Sequence, residues 1–183
     1  MPQEVLTYSA TVSDDTGNGP SRMSDLDGAY FLMETIGHTA IIELTNLTGN
    51  VGTINWIQHT IHGNGIAGKT TATGTVFLAN GSNATYFSEA HVFNPPGIQT
   101  KTGTQRTTSN GTDAWTESQI NDLRLKIQFV AESHTNDLSI DFVKVTVDYD
   151  EPAAAPPPTY DTSANNTHIT SGNIHITSGN IFI

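Results

Sequence analysis

Apolar and polar residues alternate along most of residues 1–150 of this chain. The clearest case is residues 123–131, where every second residue is apolar and Arg124, Lys126 and Gln128 fall between them. Because successive side chains of a strand point to opposite faces, this pattern predicts a strand with one buried and one wet face. The same period recurs in shorter segments separated by turns rich in Gly, Asn and Pro, which predicts about eight strands and almost no helix.

Three local signals add detail to this pattern. Residues 80–83, Asn-Gly-Ser-Asn, lie between two alternating segments and predict a hairpin turn. Thr116 with Gln119 three positions later is a capping-box pattern, which predicts a single helical turn. Along residues 138–149 the apolar positions change from even to odd numbers near Phe142, which predicts a β-bulge or a crossing between sheets there.

The predicted fold class is all-β, an antiparallel two-sheet sandwich that is jelly-roll-like and has about eight strands. Residues 1–151 are expected to form this body. Residues 152–163 are rich in Pro and Ala, which predicts a semi-rigid linker. Residues 164–183 contain a seven-residue repeat in which Ser-Gly-Asn separates short β-prone pieces, so we expect a β-prone C-terminal arm.

The arm is too short to bury its isoleucines by itself, because even a complete isolated hairpin is marginally stable in water. We therefore expect it to add to the sheet edge of a neighbouring subunit or to pack in a symmetric bundle. This predicts a homo-oligomer, with a trimer as one option. The predicted assembly residues are His168, Ile169, Ile174, His175, Ile176, Ile181, Phe182 and Ile183.

Composition and charge exclude several classes of partner. Seven Lys and Arg residues stand against eighteen Asp and Glu residues, which gives a formal net charge of −11. Binding to nucleic-acid phosphates or to an anionic membrane is therefore disfavoured. The chain has no cysteine, which excludes disulfides, thiolate nucleophiles and cysteine-ligated metal sites.

The sequence carries no recognisable catalytic, cofactor or metal motif. His59 and His62 are three positions apart on a predicted strand, so they should face opposite sides and not chelate a metal together. Residues 25–28, Asp-Leu-Asp-Gly, faintly suggest a calcium loop, but Asp-Gly pairs are also ordinary turn chemistry. Trp56 and Trp115 could stack on sugars, although a large aromatic residue in a sandwich is more often core. We therefore predict no catalytic residue, no metal ligand and no cofactor.

The segment 94–114 is rich in Gly, Thr, Ser and Asn and predicts a long loop. Long loops without secondary structure are often binding loops. Lys101 and Arg106 are its candidate ligand residues; otherwise the segment is an ordinary surface loop.

Four segments carry a resemblance to a family. They are Trp-Thr at residues 115–116, Ile-Asn-Asp-Leu-Arg-Leu-Lys-Ile at residues 120–127, the alternating valines of residues 143–149, and Asp-Leu-Asp-Gly-Ala-Tyr-Phe at residues 25–31. With these, residues 25–149 resemble the β-sandwich virion structural proteins of tailed bacteriophages.

The resemblance implies a non-enzymatic virion protein at the particle surface: a capsid decoration, a head fibre or a tail accessory. It implies other virion proteins as partners and a virion localisation, after assembly in the host cytoplasm. The alternative from another class is a carbohydrate-binding or adhesion module that uses the edge at residues 94–114 to bind a host-surface glycan.

Overall fold

The computed structural model describes residues 2–16, 19–27, 30–65, 71–94, 97–132, 138–157, 160–161 and 168–169. Eleven strands and one short α-helix lie in these ranges. The strands are β1 (Gln3–Asp14), β2 (Phe31–Met33), β3 (Thr39–Leu44), β4 (Ile54–Gly65), β5 (Ala72–Ala79), β6 (Thr85–Phe93), β7 (Gln99–Thr102), β8 (Arg124–Glu132), β9 (Leu138–Tyr149), β10 (Tyr160–Asp161) and β11 (His168–Ile169). The helix α1 is Glu117–Asn121, and a 3-10 turn covers Pro20–Met23.

The first nine strands form two antiparallel sheets that share β1. In sheet A, the first half of β1 and the short strand β2 pair with β9, which is followed by β4 and β7. In sheet B, the second half of β1 pairs with β3, followed by β8, β5 and the edge strand β6. The change of partner falls between Thr7 and Tyr8, where the pairing passes from β9 to β3. The predicted all-β, antiparallel two-sheet sandwich is confirmed.

Alternation explains how the core fills, and β8 shows it most clearly. Leu125, Ile127 and Phe129 are buried, whereas Lys126 and Gln128 between them are half-buried on the other side. Burial of one apolar side chain from every second residue is the main favourable term for such a strand. No helix among the described residues is long and apolar enough to cross a membrane.

The predicted bulge in β9 is confirmed. Pairing with β4 passes from Phe142 opposite His62 to Ile140 opposite Gly63, so that β9 has one more residue than β4 at this point, Asp141. Because of this extra residue, the even-numbered Leu138 and Ile140 before the bulge and the odd-numbered valines after it all point into the core.

The predicted hairpin and helical turn are also confirmed. Asn80 donates its backbone N–H to the carbonyl of Ala84 at 3.0 Å and so closes the turn between β5 and β6. At α1, the Gln119 backbone N–H donates to Thr116 Oγ1 and the Thr116 N–H donates to Gln119 Oε1, at 3.3 and 3.0 Å. These bonds satisfy two backbone donors that a helix start otherwise leaves unpaired.

The prediction of an unstructured loop over residues 94–114 is wrong. This segment contains β7, which pairs with β4, and single bridges join Arg106 to Ile57 and Thr108 to Ala114. The strand was missed because an edge strand needs no apolar alternation when its neighbour supplies the buried residues, and Gln-Thr-Lys-Thr has none. The described body therefore has nine strands, one more than the eight or so predicted.

The contacts divide the chain into two units, Met1–Pro152 and Ala153–Ile183. In the second unit, β10 pairs with β11 through Tyr160 opposite Ile169 and Asp161 opposite His168. The other predicted assembly residues, Ile174, His175, Ile176, Ile181, Phe182 and Ile183, lie outside the described residues. The boundaries of the linker and arm, and the docking of the arm, stay predictions.

Candidate ligand-binding face

Strand β4 places different chemistry on its two sides. Ile57 and Ile61 point into the core and are fully buried. Because side chains alternate along a strand, Trp56, Gln58 and His62 lie on the outer side of sheet A, where each is half-buried.

The registers of sheet A place residues of three strands side by side on this outer surface. On β9, Thr146, Lys144 and Phe142 lie opposite Gln58, Thr60 and His62; on β7, Thr102 and Thr100 lie opposite Thr60 and His62. We call this surface the β4 face; it consists of Trp56, Gln58, Thr60, His62, Thr100, Thr102, Phe142, Lys144 and Thr146. The six residue steps from Trp56 to His62 span about 20 Å at a strand rise of about 3.3 Å.

Aromatic rings lie at both ends of the β4 face. At one end the rings of His62 and Phe142 have centroids 5.7 Å apart at an interplanar angle of 45°. A hydrogen bond of 2.9 Å between Thr100 Oγ1 and His62 Nδ1 fixes the imidazole. Burial, reinforced by Lys144 and opposed by Asp141, lowers the pKa of His62, so the imidazole is neutral at pH 7. Trp56 lies at the other end.

The middle of the β4 face is polar and nearly uncharged. Of its nine residues, Lys144 alone carries a charge at neutral pH. Gln58 Nε2 donates to the carbonyl of Gly103 at 2.7 Å, which orients the amide along the face. The face can therefore offer hydroxyl and amide groups to a ligand at positions held by a rigid sheet.

A buried pair of histidines lies on the inner side of β4. His59 Nε2 and His91 Nε2 are 2.7 Å apart, and the two residues are 4% and 7% exposed. His59 belongs to sheet A and His91 to the edge strand of sheet B, so this hydrogen bond links the two sheets at their open side. Gly103 lies against the His59 ring, where a Cβ would come within 2.0 Å of Cε1.

A small charged cluster surrounds the histidine pair. Glu89 accepts a hydrogen bond of 2.9 Å from the Thr104 backbone N–H, and Arg106 Nη2 is 3.5 Å from Glu89 Oε2. Burial, together with the repulsion of a charged His91, lowers the pKa of His59 to about 4. Burial also lowers the pKa of His91, with Glu89 opposing the shift. Both rings are therefore neutral at pH 7.

Lys101 and Arg106, the predicted ligand residues, are engaged within the fold rather than on the β4 face. The Lys101 ammonium is 5.8 Å from the centre of the buried Phe93 ring. The Arg106 guanidinium lies 4.6 Å over the Phe87 ring, in addition to its ion pair with Glu89. The assignment of Lys101 and Arg106 as ligand contacts stays a prediction.

The two tryptophans lie in different environments. Trp115 is buried, donates its Nε1–H to the Arg106 carbonyl at 2.9 Å and packs edge-on against Tyr86 at 5.2 Å. Trp56 faces outward. The alternation of β4 predicts the outward position of Trp56, because Trp56 has the opposite parity to Ile57.

A concavity of about 410 Å³ lies at the end of sheet B beside α1. Its side chains are committed to the fold: Arg124 binds Glu43 and Asn83 at 3.1 and 3.0 Å, and Asp122 accepts from the Gly81 N–H at 2.8 Å. Within the described ranges, no three His, Asp or Glu side chains are placed to hold a metal ion. The β4 face is therefore the better candidate for ligand binding.

A scan against protein-family models and a search of curated proteins return no match. Among solved structures, the chain is similar to the CBM36-1 domain of a multidomain xylanase from the hindgut metagenome of Trinervitermes trinervoides, with 10% identity, 82% of this chain and 100% of that chain covered, and a TM-score of 0.45. It is similar to the CBM32 of AlyQ in complex with 4,5-unsaturated mannuronic acid, with 15% identity, coverage of 76% and 96%, and a TM-score of 0.41. It is also similar to the Agl-KA catalytic domain, with 10% identity, coverage of 90% and 32%, and a TM-score of 0.45.

These comparisons correct the predicted function. Carbohydrate-binding modules recur among the similar structures, where the sequence predicted virion structural proteins of tailed phages. The prediction of a capsid decoration, head fibre or tail accessory is therefore wrong. The segments that carried the resemblance have structural roles in the sandwich. Trp115 is buried, Thr116 caps α1, and Val143 and Val145 fill the core. Any antiparallel sandwich needs such segments, whatever its function.

Because the virion function is wrong, the predicted virion partners are not supported either. The predicted homo-oligomer is likewise not supported. The resemblance to virion proteins and the virion localisation stay predictions.

Proposed function

We propose that this chain is a non-catalytic carbohydrate-binding module and that its β4 face binds a neutral glycan chain. The observation that supports this most directly is the order of groups along the face: Trp56 at one end, neutral hydroxyl and amide groups between, and the His62–Phe142 pair at the other end.

A glycan chain presents matching chemistry. Each sugar ring has C–H faces that pack on aromatic rings and a rim of hydroxyls that both donate and accept hydrogen bonds. Gln58 and the threonines of the face other than Thr60, which is only 8% exposed, offer both donors and acceptors, which suits hydroxyl ligands better than ions. A span of about 20 Å accommodates a short oligosaccharide of several rings rather than a single sugar.

Charge favours a neutral glycan over an acidic one. The chain carries a net charge of −11, so a polyanionic polysaccharide would approach against repulsion. Lys144 is a single cation on the face, and Thr60 and Thr146 beside it are uncharged. We therefore expect selectivity for uncharged chains.

The acids nearest the face are poorly placed for hydrolysis. Asp141 and Asp148 of β9 are each 2% exposed, and Asp148 accepts hydrogen bonds from Gln3 and Asn55 at 3.0 and 3.1 Å. A glycosidase needs two carboxyl groups that reach the scissile bond from opposite sides. This arrangement supports binding without cleavage.

Calorimetry with the full chain and a panel of neutral oligosaccharides tests the proposal, with Trp56→Ala as the main variant. We expect at least one ligand to bind, and the variant to weaken that binding at least tenfold, which corresponds to about 1.4 kcal/mol. The matched control is Phe77→Ala, because Phe77 is also half-buried but lies on the outer side of sheet B, against Lys126. Equal loss in both variants, or no binding by the parent chain to any oligosaccharide or polysaccharide, would overturn the proposal.

A further inference from the structure

The histidine pair behind β4 depends on its protonation state. With both rings neutral, one Nε2 donates and the other accepts across 2.7 Å. A first proton can be shared between the rings, although it places a charge in a nearly dry site. A second proton makes both Nε2 atoms donors and adds charge repulsion, so the hydrogen bond cannot persist.

The groups around the pair determine how strongly it resists protonation. Glu89 on β6 attracts a proton to the pair, whereas Arg106 and Lys101 oppose it. Opposite His59 on β9 is Val145, and opposite His91 on β5 is Gly74, neither of which carries charge. Burial lowers the pKa of both histidines, so the protonation that breaks their hydrogen bond occurs at a lower pH than for an ordinary histidine.

The pair also contacts the edge of the β4 face. The Gly103 N–H donates to the His59 carbonyl at 3.0 Å, and the Gly103 carbonyl accepts from Gln58 on the outer side. Gly103 directly follows β7, which supplies Thr100 and Thr102 to the face. A displacement of His59 therefore moves the backbone that orients Gln58 and β7.

From this geometry we infer that the His59–His91 contact is a pH-sensitive clasp that positions the β7 edge, so that acid releases the edge and weakens ligand binding at the β4 face. The ligand-binding part rests on the proposed function; the release of the edge does not. His59 and His91 act as positioning residues, since neither reaches the outer surface.

Hydrogen exchange of the full chain tests the clasp without any ligand. Protection factors, corrected for intrinsic exchange, are compared at about pH 7 and about pH 4 for the amides of Gly103, Arg106 and Ile57. We expect a loss of at least about tenfold in acid at these amides, while amides in the β3–β8 ladder keep their protection. Equal change in both regions, or none in either, would overturn the inference.

The double variant H59Q/H91Q removes both titratable rings and keeps side chains that can hydrogen-bond to each other. We expect it to show no acid loss of protection at Gly103. If the variant does not fold, NMR titration of the two imidazoles in the parent chain decides instead. Two rings that titrate near their ordinary pKa, independently of each other, would show that no clasp exists.

Binding of the best oligosaccharide from the calorimetry is then measured over the same pH range. We expect affinity to fall at least about tenfold toward pH 4 in the parent chain and much less in H59Q/H91Q. His62 on the face also titrates, so the ratio of affinities at the two pH values is measured in H62Q as well. Whatever the affinity of H62Q at pH 7, its ratio should match that of the parent chain. Release of the edge without glycan binding at any pH would overturn the proposed function alone; glycan binding with a pH-independent edge would overturn the clasp alone.

Discussion

Each side of β4 carries a histidine, and the two histidines have different roles. His59 is almost completely buried and joins two sheets, whereas His62, three residues later, is half-buried on the outer surface beside Phe142. Both imidazoles are neutral at pH 7, yet one is held by a second histidine and the other by a threonine. Burial and partner, rather than residue type, decide whether a histidine stabilises the fold or faces a ligand.

The largest expected difference between the two sides of β4 is in the stability lost when neighbouring side chains are truncated to alanine. Ile57→Ala empties a fully buried position and should cost about 2–5 kcal/mol of unfolding free energy. Gln58→Ala, on the outer side, removes the hydrogen bond to the Gly103 carbonyl and should cost only about 0.5–1.5 kcal/mol of stability while weakening ligand binding. Urea denaturation of both variants checks this, and similar losses of stability would show that the outer side is also structural.

Acid should destabilise the fold through the inner side. The pKa of His59 is about 4 in the folded chain against an ordinary value of 6.5, so the unfolded chain binds more protons between these values. Stability should therefore fall as the pH drops from about 6.5 to about 4 and level off below, by about 3 kcal/mol in total. Carboxylates also titrate there, so the quantity to compare is the difference between urea midpoints of the parent chain and H59Q/H91Q at each pH.

A methyl group at Gly103 should act first on the inner side, where it meets the His59 ring. Gly103→Ala would bring Cβ within 2.0 Å of the His59 ring and should cost about 1–3 kcal/mol. The neighbouring Thr102→Ala removes an outer side chain from the same edge and should leave the melting temperature almost unchanged. A melting temperature for Gly103→Ala equal to that of the parent chain would show that His59 can move away freely.

The smallest effect should come from the hydroxyl that holds the outer histidine. Thr100→Val keeps the shape of the side chain and removes the hydrogen bond to His62 Nδ1. We expect a loss of about 0.5–1.5 kcal/mol in binding, a few-fold in Kd, with no change in stability. NMR of the His62 imidazole should show a change of tautomer, and unchanged ring shifts would contradict the assigned contact.

The sequence predicts those parts of the fold that local patterns encode. The wet and buried faces of β8, the capping box at Thr116 and the bulge near Phe142 each follow from residue spacing within one segment. β7 escapes prediction because its buried neighbours belong to β4. Its chain segment has the composition of a loop.

The candidate site was harder to predict for a different reason. His59 and His91 are 32 residues apart and lie on different sheets, so only the fold brings them together. The β4 face draws on three strands, and half-buried polar residues on a sheet look the same in sequence whether or not they bind anything. Trp56 was the one available signal, because a tryptophan on the outward parity of a strand is unusual enough to notice.

The sharing of β1 between both sheets has a consequence for the order in which the fold can form. Residues Gln3–Thr7 pair with Lys144–Asp148, which are far away in sequence. The rest of β1 pairs with β3, which is much nearer in sequence. Sheet B can thus acquire its β1–β3 ladder early, whereas sheet A must wait for β9. Contacts so distant in sequence slow folding, and on the ribosome the first strand remains half-paired until almost the entire body has been synthesised.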